Sequence, residues 1–91
     1  MEQTAKHILF SGQVQGVGFR YTAHRVARRY HVAGFVRNLP DGDVEMLAQG
    51  DEQDINHCIA DIQDYFGDYI RDTQIEPAPY NSRYTDFRIT Y

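Results

Sequence analysis

The chain has 91 residues, of which 42% are hydrophobic and 24% are charged, and its formal net charge is −4 at pH 7. A chain of this length can build one core, in which helices pack on one sheet, so we expect residues 1–91 to form a single domain. The negative charge argues against a nucleic-acid-binding or polybasic membrane surface, and a mean hydropathy of −0.59 with no long apolar run argues against a membrane-spanning helix.

The first two predicted elements are a strand and a helix joined by a glycine loop. Apolar side chains recur at even spacing in residues 7–14, which predicts a strand with one buried face. Residues 15–20 contain two glycines and break this period, and residues 22–30 then carry apolar side chains at helical spacing. Gly34 is expected to end this helix as a left-handed cap.

A hairpin is predicted next. Residues 35–38 have strand character, and the turn at residues 39–42 contains a proline that presets φ and a glycine that permits a positive φ. The returning strand is predicted over residues 43–49, and Gly50 closes it.

The second half of the chain begins with another predicted helix. Asp51 is a suitable N-cap, and apolar side chains then recur at i, i+4, i+7 and i+11 from Ile55, so we expect an amphipathic helix that ends near Gly67. Beyond this helix we expect a short strand near residues 73–75, then a proline-containing loop, and a last strand over residues 84–91.

The order of the main predicted elements is strand, helix, strand, strand, helix, strand, which is the split βαβ pattern. Right-handed crossovers place both helices on one face of the sheet. The sequence therefore predicts an α+β protein, a ferredoxin-like α/β sandwich with a four-stranded antiparallel sheet and two helices on one face.

The net charge hides a strong asymmetry along the chain. Residues 1–40 carry six basic side chains and one acidic side chain, whereas residues 41–91 carry three basic and twelve acidic ones. Five of the nine basic residues lie between positions 20 and 37, which predicts a local positive field suited to a small anion. Three of these, Arg25, Arg28 and Arg29, are also explained as solvated residues on an exposed helix face.

The glycine loop before the first helix is a candidate for that anion site. Gly16 and Gly18 allow successive backbone N–H groups to turn toward one point, and the start of the helix adds unpaired N–H groups and its positive dipole end. Arg20, at the end of the loop, carries a planar guanidinium that can bind two phosphate oxygens at once. A plain strand-to-helix turn is the alternative explanation.

Asn38 is a second candidate, because it ends the predicted strand just before the hairpin turn. Asparagine in such a position also serves the local hydrogen bonds of a turn, which is the alternative. The strand and the glycine loop belong to neighbouring parts of one sheet, so the neutral amide of Asn38 can orient a water beside a bound phosphate.

The other reactive side chains are assigned no chemistry. Cys58 lies among isoleucines on the second helix and is expected to be a packed thiol rather than a nucleophile. The four histidines lack the paired spacing of metal ligands, and the acidic residues in and after the hairpin turn are expected to be solvated. The histidines are His7, His24, His31 and His57, and the acidic residues are Asp41, Asp43 and Glu45. We expect no metal and no cofactor.

Two stretches of the chain resemble the signatures of the acylphosphatase family. They are residues 12–20, GQVQGVGFR, and residues 34–50, which begin GFVRNLPDGDV and end at Gly50. Both are long, are spaced as in that family and lie in the predicted loop and hairpin, and the resemblance covers essentially the whole chain. It implies a small cytosolic hydrolase of carboxyl-phosphate anhydrides, in which Arg20 binds the phosphate and Asn38 positions the attacking water.

The implied mechanism is direct attack of water, without a metal or a covalent intermediate, because phosphoryl transfer chiefly needs positioning and charge stabilisation. The carboxylate leaves without a general acid, and a phosphate oxygen of the substrate accepts the proton of the water. In this mechanism the phosphoryl oxygens are held by Arg20 and by the backbone N–H groups of Gln15, Gly16, Val17, Gly18 and Phe19.

One segment departs from the family. Residues 67–75 lack the Gly-Pro and small-residue pattern that often follows the second helix in the family.

Two other functions stay open. A non-catalytic anion- or nucleic-acid-binding module of the same fold would offer aromatic residues such as Phe35 and Tyr91 for stacking, although the negative net charge disfavours it. A carbamoyl-phosphate-processing domain of a maturation enzyme is the other, but such domains belong to far longer chains. We expect a free-standing cytoplasmic monomer that acts on a small-molecule acyl phosphate and binds neither nucleic acid nor membranes, since residues 1–6 lack a secretory pattern and Cys58 is the single cysteine.

Overall fold

The computed structural model describes residues 3–91, which contain one sheet and two α-helices. In chain order the elements are β1 (Gln3–Gly12), α1 (Phe19–Arg29), β2 (Ala33–Asn38), β3 (Val44–Asp51), α2 (Glu52–Phe66), a 3₁₀ turn (Gly67–Tyr69), β4 (Ile70–Ala78) and β5 (Phe87–Ile89). The strand order in the sheet is β4-β1-β3-β2-β5. Neighbouring strands are antiparallel except β2 and β5, which run parallel.

The predicted ferredoxin-like α+β architecture is confirmed, but the sheet differs from the prediction in its last strands. The fourth strand of the split βαβ pattern is β4, where the sequence predicts only a short strand near residues 73–75 followed by a loop. The predicted strand over residues 84–91 is reduced to the three residues of β5. The sheet therefore has five strands rather than four, and its last pair is parallel rather than antiparallel.

The position of β4 at the edge of the sheet explains why its length is not predicted. None of its nine residues is buried, so the strand lacks the apolar alternation by which a half-buried strand is recognised. Pairing along β1 holds it in place, from Ala5 opposite Ala78 to Gly12 opposite Ile70. Long-range backbone hydrogen bonds, and not local pattern, define this strand.

The chain between β4 and β5 crosses the face of the sheet that carries no helix. The side-chain amide of Gln49 on β3 donates to the carbonyl of Asn81 at 2.8 Å and accepts from the backbone N–H of Asn81 at 2.9 Å. The ring of Tyr84 lies 6.1 Å from the ring of Phe35 on β2. These contacts fix the crossing and deliver β5 to the edge beside β2.

The end of α1 also differs from the prediction. The helix ends at Arg29 with Tyr30 as its C-cap, and His31 takes a left-handed conformation at φ 59°. Gly34, the predicted cap, lies inside β2, where a Cβ atom would stand 1.9 Å from the carbonyl oxygen of Leu47. Glycine is therefore required at position 34 by the close approach of β3 and not by the helix end.

The second helix matches the prediction at both ends. Asp51 is its N-cap, and the carboxylate Oδ1 of Asp51 accepts from the backbone N–H of Gln53 at 2.9 Å. Gly67 follows the last residue of the helix at φ 52°. No helix within residues 3–91 is long and apolar enough to cross a lipid bilayer.

The core lies between the two helices and one face of the sheet. The ring of Phe19, the first residue of α1, lies 4.9 Å from the ring of Phe10 on β1 and 4.4 Å from the ring of Phe66 on α2. All three side chains are almost fully buried. Burying an aromatic side chain of this size contributes about 2–3 kcal/mol. This aromatic cluster fixes where α1 begins, and with it the position of the loop between β1 and α1.

Candidate active site

The loop between β1 and α1 has the conformation that a bound anion needs. Gly16 and Gly18 have φ values of 78° and 77°, and open space surrounds the position of a Cβ atom at both. Within residues 3–91, no backbone or side-chain oxygen accepts a hydrogen bond from the N–H groups of residues 15–21. These N–H groups are free to bind an anion at the positive end of the helix.

The start of α1 offers no internal substitute for such an anion. Gly18 is the N-cap and has no side chain to accept from the first N–H groups, and the first turn contains no acidic residue. The first hydrogen bond of the helix runs from the N–H of Thr22 to the carbonyl of Gly18 at 3.0 Å. The helix start therefore remains uncapped and positive.

Arg20 lies in the first turn of α1 and is partly buried. Its guanidinium carbon lies 4.8 Å from the centre of the Tyr91 ring, so the planar group stacks on an aromatic face. Tyr91 is 96% exposed, so this contact with Arg20 lies at the surface of the molecule. The sequence does not predict it.

Asn38 is the last residue of β2 and faces the same space as the loop. Its side-chain Oδ1 is buried and accepts no hydrogen bond from any residue in the described range 3–91. A buried carbonyl oxygen without a partner costs about 1–3 kcal/mol, so an atom of this kind is suited to accept from a ligand or a water. Because no N–H group of the turn donates to this Oδ1, the structure argues against the purely local turn role that the sequence leaves open for Asn38.

One cavity of about 260 Å³ joins these groups. Six of its lining residues come from the loop and the first turn of α1, and the others are Asn38 and two residues near the end of the chain. Most of the predicted site residues are therefore brought together. The lining residues are Val14, Gly16, Gly18, Phe19, Arg20, Tyr21, Asn38, Ile89 and Tyr91.

The remaining predicted loop residues have different surroundings. The side-chain amide of Gln15 donates to the carbonyls of Leu39 and Asp43, at 2.7 and 2.8 Å, and thereby ties the loop to the hairpin turn after Asn38. Val17 is exposed and its side chain does not line the cavity. Gln15 and Val17 can contribute to an anion site only through their backbone N–H groups.

The residues to which the sequence assigns no chemistry lie elsewhere, with one correction. Glu45 is not a solvated edge residue, because β3 is an inner strand and the carboxylate bonds to the Nε2 of His7 at 2.8 Å and to the guanidinium of Arg37. Burial raises the pKa of Glu45, but the hydrogen bonds with His7 and Arg37 outweigh burial and hold that pKa below its ordinary value. Glu45 thus links β3 to its neighbours β1 and β2, and it does not line the cavity.

Cys58 is a packed thiol, as the sequence predicts. The side chain is fully buried in the core, and burial raises its pKa to about 12. A buried thiol with so high a pKa is a poor nucleophile at neutral pH. Among residues 3–91, no three His, Cys, Asp or Glu side chains lie close enough together to hold a metal ion.

The fold and the cavity define an α+β protein of the ferredoxin-like type, with a glycine loop of unpaired backbone N–H groups between β1 and α1. The chain belongs to the acylphosphatase family, since the family model for acylphosphatases matches residues 6–89. The resemblance carried by the two sequence motifs is thereby confirmed.

Individual relatives agree with the family assignment. An acylphosphatase of Thermococcus kodakarensis is 46% identical over 59 residues, which is 65% of this chain and 65% of that protein. An acylphosphatase of Lactobacillus johnsonii is 35% identical over 83 residues, which is 89% of this chain and 91% of that protein. The chain thus spans just under two thirds of the first relative and most of the second.

Solved structures show the same fold. The crystal structure of the acylphosphatase from Bacillus subtilis has a TM-score of 0.89 and 31% identity, and the match covers 97% of this chain and 99% of that one. The crystal structure of HypF from Thermococcus kodakarensis has a TM-score of 0.84 and 30% identity over 97% of this chain, but over only 12% of that chain.

Proposed function

We propose that the protein hydrolyses acyl phosphates to a carboxylate and inorganic phosphate by direct attack of water. The observation that carries this proposal is the cavity in which unpaired backbone N–H groups, the Arg20 guanidinium and the unpartnered Oδ1 of Asn38 meet. Membership of the acylphosphatase family supports the same reaction.

The phosphoryl group is held by the loop and by Arg20. The backbone N–H groups of residues 15–19 bind its oxygens, and the two terminal nitrogens of Arg20 bind two oxygens at once. Charge on these oxygens is stabilised with little reorganisation of the loop, because the side chain of Gln15 ties the loop to the hairpin turn.

Asn38 positions the nucleophile. Its buried Oδ1 accepts a hydrogen bond from a water that stands opposite the leaving oxygen, which leaves a lone pair of that water directed at phosphorus. The water oxygen forms a new P–O bond while the bond between phosphorus and the carboxyl oxygen breaks.

The leaving group sets the remaining requirements. A carboxylate is a weak base and departs with the bonding electron pair without being protonated, so no general acid is needed. The proton of the attacking water passes to a phosphate oxygen of the substrate, which gives inorganic phosphate. Arg20 and the amide dipoles supply the positive field that Mg²⁺ supplies in kinases, so we propose that no metal takes part.

A direct test is the hydrolysis of acetyl phosphate and of benzoyl phosphate by the purified protein, with and without EDTA. We expect release of inorganic phosphate at the same rate in both conditions. Absence of turnover, with phosphate still bound, would instead establish a non-catalytic anion-binding module. Loss of turnover in EDTA that added Mg²⁺ restores would overturn the metal-free mechanism.

Variants of Arg20 test its role in the same assay. Arg20→Ala should lower kcat/KM by roughly 10²- to 10³-fold, as expected when a charge-stabilising group is removed. Arg20→Lys should not restore the activity, because an ammonium lacks the planar fork of two donors. Wild-type turnover in Arg20→Lys would refute bidentate binding by Arg20.

Two further expectations stay proposals. One is that the protein acts as a monomer, in which case the mass measured by light scattering at assay concentration should be that of one chain. The cytoplasmic location is tested by cell fractionation. Carbamoyl phosphate, as a further substrate in the hydrolysis assay, tests the remaining alternative.

A further inference from the structure

A second cavity, of about 780 Å³, lies between α1 and β5, on the helix side of the sheet edge. We name it the α1–β5 groove and define it by His24, Arg28, His31, Asp86 and Arg88, which line it. It is three times as large as the cavity at the glycine loop, and no role in the proposed hydrolysis uses any of these five residues.

The groove is rich in hydrogen-bond donors, although the chain as a whole is negative. Its one carboxylate, Asp86, accepts from the Nε of Arg88 at 3.0 Å. Within residues 3–91, the side chains of His24, Arg28 and His31 make no hydrogen bond or ion pair with another side chain or with the backbone. An imidazole keeps at least one N–H donor in either protonation state, so three donor groups face the groove without an acceptor.

The groove continues from the proposed phosphate site. Arg20, His24 and Arg28 follow one another at intervals of four residues and therefore share one face of α1. At 1.5 Å per residue, His24 and Arg28 lie about 6 and 12 Å from Arg20 along the helix axis. Ile89 lines both cavities, so the two meet at β5.

We propose that the α1–β5 groove is a second anion-binding site, which takes a phosphate or carboxylate group of a small molecule. Arg28 forms the charged hydrogen bonds to this group, and His24 and His31 supply flanking N–H donors. Val32 and Phe87 form an apolar wall for the carbon skeleton that carries it. The anionic group belongs either to the distal end of an acyl phosphate held at Arg20 or to a separate molecule.

Binding is measured by NMR, in a titration of the isotope-labelled protein with inorganic phosphate at constant pH and ionic strength. We expect two saturable sets of shifts, one at residues 15–21 and one at the imidazoles of His24 and His31. Arg28→Gln should weaken binding in the groove at least tenfold and leave binding at the loop unchanged.

Arg25→Gln is the matched control, because it removes the same charge from the same helix while Arg25 faces the ring of Tyr65 on α2. It should leave both sets of shifts as in the wild type. Shifts at His24 and His31 that never saturate, or that saturate equally in Arg28→Gln, would overturn the proposal. The measurement needs no turnover, so its failure is separate from failure of the proposed hydrolysis.

The source of the anionic group is read from kinetics with benzoyl phosphate and 4-carboxybenzoyl phosphate. If Arg28→Gln raises KM at least fivefold for 4-carboxybenzoyl phosphate but not for benzoyl phosphate, the groove binds the distal end of the substrate. This assignment rests on the proposed function. If Arg28→Gln leaves the KM of both substrates at its wild-type value but loses phosphate binding in the groove by NMR, the groove is assigned to a separate molecule.

Discussion

Asn38 shows how one side chain turns an anion site into a candidate catalytic site. In the proposed site, the N–H groups of the glycine loop and of Arg20 hold the phosphoryl oxygens, and these donors cannot accept a hydrogen bond from a water. The Oδ1 of Asn38 is buried in the described structure without a protein donor, at the end of a strand whose other residues pack in the sheet. A buried oxygen without a hydrogen-bond donor lowers the stability of the fold, so Asn38 is better explained by a role in function than by a role in folding.

Asn38→Ala should therefore separate water placement from anion binding. We expect kcat to fall roughly 10²-fold, because the nucleophile loses its fixed position, while inhibition by inorganic phosphate stays nearly unchanged. Steady-state kinetics with benzoyl phosphate, with phosphate as inhibitor, give both values. Asn56→Ala removes an exposed asparagine on α2 and should behave as the wild type. A parallel loss of phosphate affinity in Asn38→Ala would contradict the assignment to water.

Whether a residue of the proposed site can be predicted from the sequence depends on how far away in the chain its partners lie. Gly16, Gly18 and Arg20 are predictable because a glycine loop before a helix is a local pattern with a known geometry. The stacking of Tyr91 on Arg20 is not, because it depends on where the chain returns after β4. The same holds for Gln15, whose side chain bonds to the hairpin turn.

At the scale of elements, the register of β2 against β3 depends on one close approach. Gly34 pairs with Ala48, and a Cβ atom at Gly34 would overlap the backbone carbonyl of Leu47. The neighbour is backbone within an inner strand and cannot move aside without breaking the ladder. Because β2 ends in Asn38, this contact also sets the position of the proposed water site.

Gly34→Ala should therefore destabilise the protein by at least about 3 kcal/mol, which is large for a single methyl group. Gly42→Ala is the control, since Gly42 also has a positive φ, 98°, but has open space around a Cβ atom. Strain alone should cost it about 1–2 kcal/mol. Urea unfolding followed by circular dichroism gives both values. Equal losses in the two variants would show that backbone strain, and not the overlap with β3, is decisive.

Helices and strands are predicted correctly where their buried residues recur at a regular spacing, and incorrectly at the edges of the sheet. α2, with its N-cap and buried isoleucines, is predicted at both ends because its spacing reflects one apolar face. β4 carries no buried residue, and its extent follows from pairing with β1. The start of α1 at Phe19 is fixed by tertiary contacts with Phe10 and Phe66, which no local spacing contains.

At the scale of the whole molecule, both helices and the sheet share one core, and Cys58 reports on its integrity. The thiol is fully buried and burial raises its pKa to about 12, so it should react with iodoacetamide at pH 8 only when the core opens. Mass spectrometry should find no modification of the native protein over hours and complete modification in urea. Rapid labelling of the native protein would show that this core is not closed in solution.

The molecule as a whole carries a charge of −4, yet its proposed ligand is a dianion. Binding therefore depends on local donors rather than on the net field, and the cavity supplies them from one loop, one arginine and the first turn of α1. Salt should weaken phosphate binding only modestly, because a hydrogen-bonded contact is much shorter than the distance over which salt screens charge, and this is measured by titrating phosphate at two ionic strengths.

The location of a bound anion is the decisive test of the proposed phosphate site. In crystals soaked with sulfate or phosphate, we predict an anion within hydrogen-bond distance of backbone N–H groups of residues 15–19 and of two nitrogens of Arg20, with Asn38 beside it. A loop that stays unoccupied at saturating concentration, while the anion binds elsewhere on the molecule, would contradict the account.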